Sequence, residues 1–203
     1  MNIIRTKYMN LQYRKELAIR QSLDYLHIGL DDMGQDAVNV PKLLVNTKET
    51  TGLLKLNSHL TGIIVTNGKL VNDNNCHVFL NNDQFCQNSS KTISQLVDVL
   101  QRTQEELGHL PRKLLIQHDN CAKDLKNKHL LSFYWILCEK NIFEEILVSM
   151  MPVGTLRADC NNFSLISFLF KGHTHNYVDR FFSQVASKLR NLEISCFEKL
   201  LGN

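Results

Sequence analysis

Two short apolar runs in this chain each break off into aspartate. Leu23 to Leu30 alternates loosely around Tyr25, Leu26, Ile28 and Leu30 and ends in Asp31-Asp32. Lys113 to Gln117 (Lys-Leu-Leu-Ile-Gln) runs straight into His118-Asp119-Asn120. Apolar runs of this length read as buried strands, and a carboxylate at the end of one sits where the strand leaves the core. In an open α/β sheet the carboxyl ends of central strands are where ligand sites assemble. The pair therefore predicts a sheet with acids gathered at one end.

The remaining segments fit around that sheet. Residues 1–22 read as a basic helix, with Arg5, Lys7, Arg14, Lys15 and Arg20 facing only Glu16 among the first twenty residues. Leu53 to Val65 reads as a long strand, Thr66-Asn67-Gly68-Lys69 as a hairpin turn, and Cys76 to Leu80 as the return strand after a polar loop at 72–75. Ser89 or Ser90 is expected to cap a helix from about residue 91 to Leu107, stopped by Gly108 and Pro111. A helix over 125–140, a strand over 145–151 and a last helix over 177–201 complete the order. Three antiparallel strands followed by alternating helix and strand predict an α/β domain with a mixed five-stranded sheet flanked by helices. RNase H-like domains have this order.

Three acids fall at related places in it. Asp31 ends the first strand, Asp119 ends the fourth, and Asp179 lies in the first turn of the last helix. Phosphoryl transfer with bound Mg²⁺ or Mn²⁺ needs carboxylates converging where metals sit roughly 4 Å apart, and hard cations take oxygen ligands. Asp31, Asp119 and Asp179 are thus the candidate metal ligands, with Asp32 and Asp36 as rivals for the first position. Each has a plainer explanation as turn chemistry, or as an acid favouring a helix amino terminus. Gly172-His173-Thr174-His175 precedes Asp179. Two histidines do not close a zinc site, so His173 and His175 read as residues supporting the acids or contacting a substrate phosphate, or as residues of a helix-capping loop. Lys126 and Asn127, with Asn120, form a polar cluster after the fourth strand. They could meet a phosphate or simply face solvent.

Composition narrows the alternatives. At 203 residues with 43% apolar and 21% charged residues the chain has the make-up of one globular domain. A net charge of +3 permits a nucleic-acid partner without demanding one. The six cysteines are scattered without a CxxC pair, so reduced, buried thiols are expected. The first twenty residues lack an apolar signal region, and no apolar run is long enough for a membrane span. Those features predict an intracellular protein, nuclear or cytoplasmic. GxGxxG, P-loop and GxSxG motifs are absent, which argues against common small-molecule enzymes.

Asp119-Asn120, Lys126-Asn127 and Gly172-His173-Thr174-His175 with Asp179 four residues on resemble a transposase-like domain of unknown function. That domain is widespread in animals and other eukaryotes, often in element-derived genes. Ile28-Gly29-Leu30-Asp31-Asp32-Met33, with Gln35 and Pro41, is similar to its start, and the resemblance spans about residues 23–190. It implies an integrase-type RNase H-like fold and, by analogy, metal-dependent cleavage or transfer of DNA strands, with Asp31, Asp119 and Asp179 as acids and His173 and His175 beside them.

Residues 155–172 depart from the pattern, which would run from Met151-Pro152-Val153-Gly154 directly into the histidines. Gly154-Thr155 can be encoded G-GT-AC, Lys171-Gly172 can be encoded AAA-G, and the stretch before Lys171 suits pyrimidine-rich codons. The segment therefore reads either as a translated intron or as a genuine insertion, an apolar strand or hairpin beside the site. The domain expectation is a basic helix at 1–22 and an RNase H-like unit at 23–203 carrying that insertion. Two functions stay open: a metal-dependent nuclease or transposase-type domain acting on nucleic acid, DNA first, with the homo-oligomer that integrase-like enzymes commonly form, and an inactive or domesticated remnant that binds nucleic acid or protein.

Overall fold

The computed structural model describes residues 12–33, 38–44, 48, 50, 52–70, 74–82, 84, 88–118, 128–150, 154–159, 163–167 and 177–196. Helix α1 (Gln12–Arg20) leads into strand β1 (Tyr25–Asp32), followed by β2 (Ser58–Thr66) and β3 (Asn74–Asn82). Helix α2 (Ser89–Leu107), strand β4 (Lys113–His118), helix α3 (Lys128–Glu139) and strand β5 (Glu145–Met150) alternate as the sequence predicts. Two further strands, β6 (Gly154–Asp159) and β7 (Phe163–Ser167), precede helix α4 (Tyr177–Arg190).

The sheet order is β3-β2-β1-β4-β5-β6-β7. β2 runs antiparallel to β1 and β3, while β4 and β5 run parallel to β1. Those five strands form the mixed RNase H-like sheet. The first five were expected; β6 and β7 extend the edge beyond β5 as an antiparallel meander, built largely from residues 155–172.

Alternation along the strands sorts the side chains by face. Leu26, Ile28 and Leu30 of β1, Ile63 and Val65 of β2, and Leu114 and Ile116 of β4 share one core with α2 and α3. Each such side chain, taken fully out of water, contributes roughly 2 kcal/mol. Helix α2 presents Thr92, Gln95, Leu96, Val99, Leu100 and Thr103 to it at helical spacing. The opposite face carries a smaller cluster of Met33, Val38, Leu60, Ile64, Val178 and Phe182, closed by α4.

Several boundaries differ from expectation. β2 begins at Ser58 because Leu53 and Leu54 are exposed, and Leu56 makes only an isolated bridge to Val40. The cap of α2 is Asn88, whose side chain accepts the Lys91 N–H, rather than Ser89 or Ser90. Gly108 ends that helix in the left-handed conformation (φ 76°), as a glycine there should. Helix α4 stops at Arg190 because Ile194 pairs with Lys42 instead of continuing the helix. Asn67 does more than turn the chain: its amide donates to the Ser22 and Tyr25 carbonyls and ties the hairpin to the base of β1. Gly68 is required by close approach, since a Cβ there would run into the Ile19 carbonyl. Cysteines described as free include buried Cys138 but also exposed Cys76, so burial is not general.

A candidate carboxylate site at the end of the sheet

β1 delivers its two consecutive aspartates to opposite faces. Asp31 pairs with Gly62 across β2, and Asp32 pairs with Thr61. Asp32 continues the row of Leu26, Ile28 and Leu30, and so belongs to the α2–α3 face. There its carboxylate accepts a 2.5 Å hydrogen bond from the Thr61 hydroxyl, and that hydroxyl accepts from the Lys91 ammonium at 3.1 Å. Lys91 also lies 3.7 Å from the Asp32 carboxylate.

Asp31 belongs to the other face and is buried, with Oδ1 accepting the Asp32 N–H at 2.9 Å. Its rung is where α4 is seated. A Cβ at Gly62 would come within 3.0–3.1 Å of Phe182 and Val178, so the absence of a side chain lets the helix approach this closely. Asp179 follows Val178 in the first turn of α4. Its backbone is therefore carried to the face of Asp31; its side chain lies outside the described part. Leu30 pairs with His118, the last residue of β4, so the chain leaves β4 at the rung beside Asp31, one residue before Asp119. Asp119, Lys126, Asn127, His173 and His175 lie outside the described residues, as do Asp36 and Asn120. Among the described residues no three His, Cys, Asp or Glu side chains cluster as metal ligands.

Buried polar groups that the sequence did not single out lie at this end and farther down the same strands. His118 is fully buried, and its Nε2 lies 2.8 Å from the Tyr134 hydroxyl of α3. Its Nδ1 has no partner among the described residues, and burial lowers its pKa to about 3, so the ring is neutral. On the Asp31 face, His27 is held to about 3 by burial first and then by the nearby charges of Arg14 and Lys15, against a hydrogen bond with Gln117 that raises it. Arg14 is itself buried beneath α1, which lowers its pKa to about 10. The signal available in the sequence was alternation: His27 and Gln117 fall between the apolar positions of their strands. The non-local partners of Asp32 left no such signal.

A family described as Domain of unknown function (DUF7869) matches residues 48–167 and 160–203. The chain belongs to this family. The two matched stretches overlap at 160–167, inside the segment that departs from the expected pattern. No curated protein matches the chain. Among solved structures it is similar to Marinitoga piezophila Argonaute in complex with 5′ OH guide RNA and target DNA, at 7% identity and a TM-score of 0.40. That likeness covers 82% of this chain and 26% of the Argonaute chain. No helix among the described residues is long and apolar enough to cross a membrane.

Proposed function

We propose that the chain is a transposon-derived RNase H-like domain that cleaves or transfers nucleic-acid strands, DNA first, with the help of Mg²⁺ or Mn²⁺. The observation that carries this reading is the seating of α4 on the Asp31–Gly62 rung. It brings the backbone of Asp179 to the same face and the same sheet end as a buried carboxylate. Asp31, Asp119 and Asp179 would hold the cation. Their oxygen ligands suit a hard divalent ion, which when bound would stabilise charge on a phosphodiester. His173 and His175 would stand beside the acids, and Lys126 and Asn127 would meet the nucleic-acid backbone. Helices α2 and α3 both begin at this end of the sheet, and helix amino termini favour phosphate.

A second reading, a remnant that binds nucleic acid or protein without chemistry, draws on β6 and β7. These strands lengthen the path from β5 to α4, and β7 lies within the overlap of the two family matches. Mn²⁺-dependent thermal stabilisation separates the readings, because a ligand that binds only the folded state raises the melting temperature. The catalytic-type reading expects stabilisation that Asp119→Ala removes. If the chain responds only after removal of residues 155–172, the inserted strands disable it. If both forms fold and neither responds, the non-catalytic reading stands.

A further inference from the structure

The two aspartates at the tip of β1 are adjacent in sequence and equal in chemistry, yet their surroundings differ. Asp32 is half-exposed, with 49% of its side chain accessible, while the Lys91 side chain beside it is only 11% accessible. Thr61, between them, is 2% exposed and donates to Asp32 while accepting from Lys91. Lys91 is fixed at its base as well, because its N–H is bound by the Asn88 cap at the start of α2. An exposed surface pair leaves the lysine free to wander. Here the ammonium is anchored at both ends of its side chain, against two oxygens.

We propose that the Lys91 ammonium is a built-in cation for Asp32, closing that carboxylate to divalent metal and leaving Asp31 as the metal ligand contributed by β1. This inference rests on the metal-site reading above and adds to it which of the two aspartates is used. A divalent ion on Asp32 would have to sit about 2.0–2.6 Å from its oxygens. Lys91 already lies 3.7 Å from the carboxylate and 3.1 Å from the Thr61 hydroxyl. Two cations at that spacing repel strongly in a partly buried site. Lys91 thus acts as a positioning residue: it touches neither metal nor substrate and determines where the metal goes.

The test counts bound Mn²⁺ by the loss of its free-ion electron paramagnetic resonance signal during titration. The expected result is that Asp32→Asn binds as many Mn²⁺ ions as the unaltered chain, with the same affinity, whereas Asp31→Asn loses an ion. Lys91→Met should gain an additional ion with a dissociation constant on the order of 1 mM, the weak end for oxygen ligands. Adding Asp32→Asn to Lys91→Met should cancel the gain. Lys91→Arg keeps the charge and should show no additional ion. Circular dichroism verifies that each variant is folded, and Thr61→Val, which removes the bridging hydroxyl, provides a second route to loosening the pair should Lys91→Met unfold.

The proposal is overturned if Asp32→Asn loses an ion as Asp31→Asn does. It is also overturned if folded Lys91→Met gains none. Should the unaltered chain bind no Mn²⁺, the metal-site reading fails on its own. The extra ion in Lys91→Met would still be required, so the two failures are distinct.

Discussion

The two faces of the sheet are built for different work. The face under α2 and α3 is dense and apolar: Leu26, Ile28, Ile63, Leu96, Leu114, Ile116, Leu130 and Tyr134 are all at or near complete burial. The face under α1 and α4 has a small apolar cluster and a row of buried polar groups, with His27 and Arg14 below and Asp31 above. Buried polar groups cost stability unless every one is satisfied. Most of the apolar residues gather on one face, where His118 and Gln95 are buried polar exceptions, and His27, Arg14 and Asp31 share the other, so holding the fold and presenting chemistry are largely separated. The acids at the tip of β1 divide the same way. Asp32, on the dense face, is tied into a structural network, while Asp31 is turned toward the polar one.

The largest effect that tests this contrast is truncation of the dense core. Ile116→Ala should cost about 3–4 kcal/mol, because a fully packed site leaves a cavity that neighbours cannot fill. Val178→Ala on the thinner face should cost about 2 kcal/mol. Urea denaturation of both variants gives the comparison, and equal losses would erase the asymmetry.

Acid should act next, through the buried histidines His118 and His27, of which His27 lies on the polar face. The His27 pKa falls from about 6.5 in the unfolded chain to about 3 in the fold. The unfolded state therefore binds more protons between those values, and the contribution of this neutral imidazole is present above pH 6.5 and lost as pH falls. Between pH 7 and pH 5 the loss from His27 should be about 2 kcal/mol. His27→Phe should flatten the dependence of stability on pH over that range. An unchanged slope would mean that His27 is not buried neutral.

A smaller effect sharpens the seat of α4. Gly62→Ala places a methyl 3.0–3.1 Å from Phe182 and Val178, which must shift to make room. The expected cost is about 1 kcal/mol, at the lower end for overpacking, since the nearest atoms are side-chain atoms. The Mn²⁺-dependent rise in melting temperature should fall by more than the stability does. A variant that loses stability but keeps the full Mn²⁺ effect would show that α4 does not carry part of the metal site.

The central strands were legible because burial writes itself into short apolar runs, and β1 and β4 lie within a residue or two of where those runs end. Asp31 falls at the end of β1, where that run places it, while Asp119 lies outside the described residues. The start of β2 was not legible, since Leu53 and Leu54 look like strand residues and sit exposed. The cap of α2 was obscured because Asn88-Ser89-Ser90 offers three residues of the right type. The segment of β6 and β7 reads in the sequence as either a translated intron or an inserted apolar strand or hairpin, and the places of the two strands in the sheet depend on an edge of β5 that no local pattern reveals. The separation of Asp31 from Asp32 was half legible: alternation from Leu26 through Leu30 assigns Asp32 to the apolar face. Its partner Lys91 comes from the far side of a hairpin and a helix start, beyond the reach of periodicity.

Paramagnetic broadening by Mn²⁺, read residue by residue in the nuclear magnetic resonance spectrum, tests the central claim most directly. The account predicts that signals of Gly62 and the Val178 methyls broaden first as Mn²⁺ is added, ahead of those of Thr61 and Lys91, and that Asp31→Asn abolishes the effect. Broadening centred on Thr61 and Lys91, or broadening that persists in Asp31→Asn, would contradict it.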